Sequence, residues 1–428
     1  MPNAVPGLPL VATLFQVAAV AWAPLPAQSA PLRELGVMAI GGVTSADPAL
    51  LGRRFTEGYL TQPNLMAAAS RGWLRGTATV NFEGYTLRRG ELNAGMYGEG
   101  YVDRRHPHTL VHEVMLAAVT PAERTWRASL AVGKGFTPYG TDDPMMRPFM
   151  KYPVNHHHAQ VIERVQAVGA VQLRRASRHL TLEQAWFNGD EPVSPFVAPR
   201  WQRVGDSHST RLTVAPTAAL EWQASRAFVR SPGITQGGAF DHRQLSTSLR
   251  YAATSSTRRW RYALVEFART DEGLGRQRAF RFKSVLAEGA ASWRGWALAA
   301  RAERTERPEH ERLLDLFRSS AGHIDFQIIG VTRWTIGTVQ LAAPAWSLGG
   351  VQLRPFAEVA SALAEARRTP AVFIPAEFYG AARQWSVTLG ARLHVGSMRE
   401  RMGRYGVLDP AHIATLPRPH THGLHDAP

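Results

Sequence analysis

Three segments of the chain have the composition of transition-metal sites. They are residues 106–113, 156–158 and 420–426, in a protein that contains 16 histidines. Imidazole nitrogen binds Cu(II), Ni(II) and Zn(II), so the consecutive residues His156, His157 and His158 are candidate metal ligands. The simpler interpretation is that these histidines are polar residues of loops. The histidine pattern therefore leaves two alternatives open, metal binding and polar loop composition.

The motifs of common enzymes are incomplete in this chain. His112 and Glu113 begin a zinc-protease pattern, but Leu116 stands where the second histidine is required. The glycines around Lys134 do not have the order of a phosphate-binding loop, and no Gly-x-Ser-x-Gly motif of a hydrolase is present. Cysteine is absent, which excludes disulfides and thiolate metal sites. We therefore expect neither enzymatic activity nor a cofactor.

The positive charge of the chain does not predict nucleic-acid binding. The formal net charge is +15, and arginine supplies nearly all of the basic charge because only Lys134, Lys151 and Lys283 are lysines. The arginines are spread along the whole sequence instead of forming one patch, so we expect no nucleic-acid partner. The mean hydropathy of −0.20 fits a soluble protein or a membrane β-barrel, in which only alternate residues face lipid.

The clearest secondary-structure signal is the alternation in residues 384–395. Trp385, Val387 and Leu389 fall on one face of an extended strand, whereas Gln384 and Thr388 fall on the other. Similar alternation recurs from Trp73 onward. It gives candidate strands near residues 73–85, 108–119, 124–134, 160–173, 179–188, 209–217, 219–230, 243–254, 258–270, 277–293, 295–306, 331–344, 350–365 and 384–396.

The connections between these strands alternate in length. Short links such as residues 217–218 and 294–295 carry turn-forming residues, whereas links such as 86–107, 135–159 and 307–330 are long and rich in charge, Pro and Gly. This rhythm is typical of an all-β, transmembrane, antiparallel up-and-down β-barrel with short periplasmic turns and long extracellular loops. We predict about 14 strands. A soluble secreted β-sandwich enzyme is the alternative, but a sandwich has no reason to alternate its loop lengths.

Eight tryptophans near predicted strand ends suit the aromatic girdle of such a barrel. They are Trp126, Trp186, Trp222, Trp260, Trp293, Trp296, Trp334 and Trp385.

The two ends of the chain lie outside the predicted barrel of residues 73–396. Residues 1–30 have the apolar run and the small residues of a cleaved signal peptide, although no Lys or Arg precedes the run. Residues 31–72 show no repeated pattern, and we expect a periplasmic lead-in or a segment within the lumen. Residues 397–428 contain several His and Pro, and we expect a disordered tail.

The segment from Gly133 to Pro148, continuing through Lys151 to His158, resembles the long loop of porin-like bacterial outer-membrane β-barrel proteins. The likeness extends over residues 55–396 and implies a barrel in the outer membrane, without naming a solute. In porins such a loop often folds inward and narrows the channel. The resemblance therefore implies that Asp142, Asp143, Arg147 and Lys151 are candidates for a constriction, and a solvated extracellular loop is the alternative.

Basic residues outnumber acidic ones among the positions that we assign to the lumen. The predicted pore-lining residues are Arg75, Arg250, Arg281, Lys283, Arg301, Arg354 and Arg392. Fixed positive charge concentrates anions, so a porin-like channel for passive diffusion of small polar solutes with weak anion preference is the predicted function. The expected partners are outer-membrane lipid, lipopolysaccharide, small polar or anionic solutes and, as one option, further copies of the chain in a homotrimer. A metal-binding outer-membrane protein is the alternative.

Overall fold

The structure is a computed structural model of the 428-residue chain. It describes residues 32–47, 54–87, 108–121, 124–141, 144–150, 152–154, 159–192, 194–233, 238–256, 259–310, 328–367, 373–397 and 401–409. The predicted signal peptide, Asp142, Asp143, Lys151, His156, His157, His158 and residues 410–428 lie outside the described residues.

The described residues form seventeen β-strands and four short helices. The strands are β1 (Leu32–Asp47), β2 (Phe55–Arg71), β3 (Leu74–Asn81), β4 (Val111–Val119), β5 (Trp126–Gly135), β6 (Arg164–Arg175), β7 (Arg178–Phe187), β8 (Ser207–Ala215), β9 (Leu220–Val229), β10 (Asp241–Ser256), β11 (Arg259–Leu274), β12 (Gln277–Trp293), β13 (Trp296–His310), β14 (Ile328–Ala342), β15 (Trp346–Leu348), β16 (Val351–Ala366) and β17 (Arg383–Gly396). The helices are α1 (Glu83–Thr86), α2 (Pro375–Phe378) and the 3-10 turns Pro144–Met146 and Gly406–Leu408.

All long strands pair antiparallel with their neighbours, and the sheet closes on itself. The closing pair is β1 with β17, in a register that runs from Gly36 opposite Gly396 to Asp47 opposite Trp385. Sixteen strands make up the wall, and the three-residue β15 only extends the turn before β16. Closure leaves no unpaired strand edge, which is the condition for a β-structure to cross a bilayer.

The predicted strand count was too low by two. All fourteen predicted strands correspond to strands of the wall, but β1 and β2 also belong to it and lie in residues 31–72, where we expected a lead-in. Both faces of β1 are apolar, since Met38 and Ile40 point inward while Leu35 points outward. In β2 a register shift near Gln62, which has a positive φ of 51°, breaks the alternation. An apolar inner face and a bulge both hide the period-two signal.

The predicted facing of the strands is confirmed over most of the wall. In β17 Leu389 is 62% exposed, whereas the inward-facing Gln384 and Thr388 are buried. Six of the eight predicted girdle tryptophans lie on the outer face, but Trp260 and Trp334 are buried inside the barrel. No helix in the described part of the chain is long and apolar enough to span a membrane.

Residues 401–409, which we expected to be part of a disordered tail, have a defined position in the structure. Residues 401–409 lie inside the barrel, where Arg404, Tyr405 and Val407 contact the wall. Most inward-facing side chains are buried, because this segment and the loop after β5 occupy much of the lumen.

Candidate channel constriction

The described residues of the long connection between β5 and β6, which are 136–141, 144–150, 152–154 and 159–163, fold into the lumen; we call them the inner loop. Its first part lies against β9 to β11, where Gly140 N donates to Ser225 Oγ at 3.0 Å. Thr141 Oγ1 then donates to Glu266 Oε2 at 2.6 Å and lies 2.7 Å from Ser248 Oγ. The inward course of this loop, which the family resemblance implied, is therefore seen in the described residues.

Arg147 joins the inner loop to two carboxylates of the opposite wall. Its Nη2 lies 3.3 Å from Glu266 Oε2, and its Nη1 lies 3.7 Å from Glu288 Oε1. Glu288 also accepts hydrogen bonds from Tyr262 Oη at 2.7 Å and from Arg301 Nε at 2.7 Å. Arg147 and Arg301 are therefore neutralised by carboxylates and hold the loop in place.

Backbone amides of the inner loop also donate to carboxylates of the wall. Met150 N donates to Glu358 Oε2 at 3.0 Å, and Val154 N donates to Glu303 Oε2 at 2.8 Å. A buried amide without a partner costs roughly 1–3 kcal/mol, so these carboxylates satisfy donors that have no strand partner. The loop consequently crosses the lumen from β9 to the β13–β16 wall.

Apolar side chains of the inner loop pack in the gaps between these polar contacts. Met145, Met146, Phe149 and Met150 are buried in one cluster with residues of β1, β11 and β16. The guanidinium carbon of Arg301 lies 4.2 Å from the ring centroid of Phe149, a cation–π contact. This packing explains why several strands carry apolar residues on their inner faces.

Two histidine–glutamate pairs lie near the end of the inner loop, and the pair that includes Glu163 anchors it. His112 Nδ1 lies 2.9 Å from Glu163 Oε1, and His108 Nδ1 lies 3.1 Å from Glu83 Oε2. Burial would raise the pKa of Glu163, but the hydrogen bond and charge of His112, with Lys134 and His108, hold it well below its ordinary value.

These two histidines are therefore occupied by structural contacts. No group of three His, Cys, Asp or Glu suited to a metal occurs within the described ranges.

The C-terminal segment, residues 401–409, is the second element inside the lumen. Arg401 donates two hydrogen bonds of 2.8 Å to the carboxylate of Glu221 on β9. Arg404 Nη2 lies 3.0 Å from the same carboxylate and donates to Thr141 O at 2.8 Å. One glutamate therefore binds two arginines of this segment, and Arg404 links the segment to the inner loop.

The C-terminal segment enters from the periplasmic end of the barrel and returns to it. Tyr405 Oη accepts a hydrogen bond of 3.0 Å from Phe136 N, near the extracellular end of β5. Val407 N then donates to Ser129 Oγ at 3.1 Å, lower on the same strand. Asp409 Oδ2 accepts a hydrogen bond of 2.7 Å from Arg75 Nε at the periplasmic start of β3. Arg75 is thus neutralised by Asp409 and does not act as a free charge.

Arg354 and Arg392 differ from the other inward arginines. They are direct register partners on β16 and β17. Arg354 donates to the carbonyl oxygens of Ala343 and Gly295, and Arg392 donates to those of Arg147 and Pro148. Neither forms an ion pair with a carboxylate of the described residues. Two adjacent positive charges therefore border the lumen beneath the inner loop.

The other predicted pore-lining residues have different positions. Arg250 faces inward, with its guanidinium carbon 5.6 Å from the ring centroid of Tyr262. Arg281 and Lys283 share the face of Val285, which is 49% exposed, so the prediction that they line the lumen was wrong. The inward positions of β12 carry apolar residues such as Phe282 and Leu286, so polarity did not indicate which face of this strand points into the lumen.

Sequence reasoning missed several residues that shape the lumen. Glu266 and Glu288 lie on inward positions of β11 and β12, where apolar residues on both faces obscured the strand pattern. Arg401 and Arg404 lie beyond the last strand, and no period-two signal points to them. For the first pair the available signal was a single glutamate within an otherwise apolar stretch of each strand.

Comparisons with known proteins give structural likenesses at low sequence identity. Among solved structures, the chain is similar to an anion-selective porin from Comamonas acidovorans, with a TM-score of 0.48, 9% identity and coverage of 85% of this chain and 100% of that chain. It is also similar to the outer membrane channel DcaP of Acinetobacter baumannii, with a TM-score of 0.47, 8% identity and coverage of 88% and 100%. No family model and no curated protein sequence matches.

The closed wall decides the class of this protein. Sixteen antiparallel strands close without an edge, and the outer face carries an apolar band with tryptophans such as Trp126 and Trp296. The protein is an outer-membrane β-barrel with a porin-like fold. In this barrel the inner loop and the C-terminal segment together narrow the lumen.

Proposed function

We propose that this outer-membrane β-barrel is a channel for passive diffusion of small polar solutes with a weak preference for anions. The observation that carries the anion preference is the inward pair Arg354 and Arg392, neither of which lies within ion-pair distance of a carboxylate among the described residues. Guanidinium groups held in this way attract anions and repel cations.

Several other inward arginines are paired with carboxylates. The expected anion selectivity therefore depends mainly on Arg354 and Arg392. Arg75 pairs with Asp409, Arg147 with Glu266, and Arg211 with Glu183 through hydrogen bonds of 2.5 and 2.8 Å. A neutralised pair contributes little field at a distance, so the total number of lumen arginines overstates the attraction for anions. We therefore expect a weak preference.

The inner loop and the C-terminal segment limit the size of the solute. Both are bound to the wall through charged hydrogen bonds at Glu221, Glu266 and Glu358. A narrowed, polar lumen favours small solutes that retain part of their hydration. We also propose that residues 1–30 are a signal peptide for export and that the barrel assembles as a homotrimer.

Planar-bilayer recordings of the purified protein test the proposal. We expect small conductance steps and a reversal potential in a KCl gradient that favours chloride. Liposome-swelling assays with neutral sugars of increasing size should show uptake of small sugars only. A reversal potential that favours potassium would contradict the anion preference, and the absence of both current and swelling would contradict the channel.

A further inference from the structure

A band of basic residues lies on the outside of the barrel; we call it the outer basic arc. Its members face outward in the extracellular halves of six consecutive strands, β9 to β14. They are Arg226, Arg243, Arg269, Arg281, Lys283, Arg304 and Arg333. Among the described residues of β1 to β8, Lys134 on β5 is the one Lys or Arg at an outward position of an extracellular half, and it is buried by its contacts with Thr109 and Val111. On β17 Arg383 is also exposed at the extracellular end, so the arc holds most, but not all, of the outward basic residues in the extracellular half of the described wall.

The arc lies at the height of the extracellular membrane surface. Lys283 and the exposed Trp293 are ten residues apart on the outer face of β12. At about 3.4 Å per residue and a tilt of about 40°, that separation is roughly 26 Å along the membrane normal, close to the height of the apolar band of such barrels. Trp293 lies at the periplasmic interface, so Lys283 lies at the level of the outer headgroups.

The charges of the arc are only partly balanced within the protein. Arg333 Nη2 lies 3.1 Å from Glu306 Oε1, whereas the three residues at the centre of the arc have one carboxylate among them. Arg269 and Lys283 are direct register partners on β11 and β12, an arrangement of like charges that is destabilising by itself. Asp271 provides one carboxylate, which lies 3.4 Å from Arg269 Nε and 2.5 Å from Arg281 Nε. Lys283 forms no ion pair with any described residue. Three cations and one anion leave an excess of positive charge at this point.

The surface below the arc is apolar. Val265 is 55% exposed on β11, Val285 follows Lys283 on β12, and Leu298 is 56% exposed on β13. A ligand that fits this surface has an anionic head above several hydrocarbon chains. A phosphate group supplies bidentate acceptors for arginine, and acyl chains cover the apolar residues.

We propose that the outer basic arc binds the phosphorylated headgroup of lipid A, the membrane anchor of lipopolysaccharide in the outer leaflet. Arg269, Arg281 and Lys283 contact the phosphate, which relieves the repulsion between the two register partners. Asp271 orients Arg281 through their hydrogen bonds. This binding requires the outer-membrane position of the barrel and does not depend on its conducting solutes.

The test uses the full-length protein and the triple variant R269Q/R281Q/K283Q. The matched control is R178Q/R259Q/R261Q, which removes three exposed arginines from the periplasmic ends of β7 and β11. Each protein is titrated in detergent with diphosphoryl lipid A and with the same lipid after removal of both phosphates. Each cationic residue contributes to the attraction of a negatively charged lipid headgroup, so we expect the triple variant to bind diphosphoryl lipid A at least tenfold more weakly.

The control variant should bind like the wild type, and the dephosphorylated lipid should bind weakly to all three proteins. Equal affinity of the wild type and the triple variant for diphosphoryl lipid A would overturn the proposal. Equal affinity of the wild type for the two lipids would also overturn it. A change of oligomeric state in the triple variant by native mass spectrometry, without loss of lipid binding, would assign the arc to contacts between copies of the chain.

The triple variant can be checked for folding by the heat-modifiable migration of a folded barrel. If it does not fold, the single variant K283Q is compared with K283R, which preserves the charge. Lys283 is exposed on the outer face, so neither change should disturb folding. Weaker lipid A binding by K283Q than by K283R is expected, and equal binding would overturn the proposal. Bilayer conductance measured in parallel separates this result from the channel function.

Discussion

Replacing Arg354 and Arg392 by glutamine is the most direct perturbation of the proposed selectivity. Both side chains border the lumen as register partners and donate hydrogen bonds to carbonyl oxygens only. Glutamine retains a donor for these carbonyls and removes the charge. The double variant should therefore keep the position of the inner loop while it loses two fixed positive charges.

The expected magnitude follows from Coulomb's law. An anion 4 Å from one unit positive charge in water is stabilised by about 1 kcal/mol, so two such charges contribute about 2 kcal/mol. That energy corresponds to roughly a 30-fold enrichment of anions at the pair, and the screening length of about 10 Å at 0.1 M salt preserves most of it at this range. A permeating ion meets other barriers as well, so we expect a smaller change, about tenfold or less, in the measured permeability ratio.

The assay is the reversal potential of single channels in a KCl gradient. The wild type should favour chloride, and the reversal potential of R354Q/R392Q should move toward zero. R259Q/R261Q is the matched control, because it removes the same net charge from the outer face of the wall at residues outside the outer basic arc. An unchanged reversal potential in R354Q/R392Q, or an equal shift in the control, would refute the reasoning.

Three further outcomes are expected. A stop codon after Ser397 removes the C-terminal segment and should raise single-channel conductance, whereas a stop codon after Asp409 should leave it unchanged; equal conductance of the two truncations would contradict a narrowing role. Glu221→Gln removes the carboxylate that binds Arg401 and Arg404, and breaking such a buried pair costs about 3 kcal/mol, so trypsin should cleave the segment faster than in the wild type. The lowered pKa of Glu163 means that its contribution to stability is present above about pH 4.3 and is lost as the pH falls, so the unfolding midpoints of wild type and Glu163→Gln should differ at pH 7 and converge in acid.

The sequence by itself determined the class of fold. The period-two pattern of residues such as Trp385 and Thr388 reports which face of a strand meets water, and the alternation of loop lengths reports that neighbouring strands run antiparallel. Both signals are local, because they depend on a strand and its two connections. They were sufficient for fourteen of the sixteen wall strands.

Only the tertiary structure decided how the lumen is filled. Met38 and Ile40 are apolar inward residues because the inner loop packs on them, and that contact joins residues more than one hundred positions apart. Where a loop makes the inside apolar, polarity no longer separates the two faces, which is why β1 was missed and Arg281 and Lys283 were assigned to the wrong side. The hydrogen bond between Arg404 and Glu221 likewise depends on the closed wall. The two residues are 183 positions apart, so no local sequence signal predicts their contact.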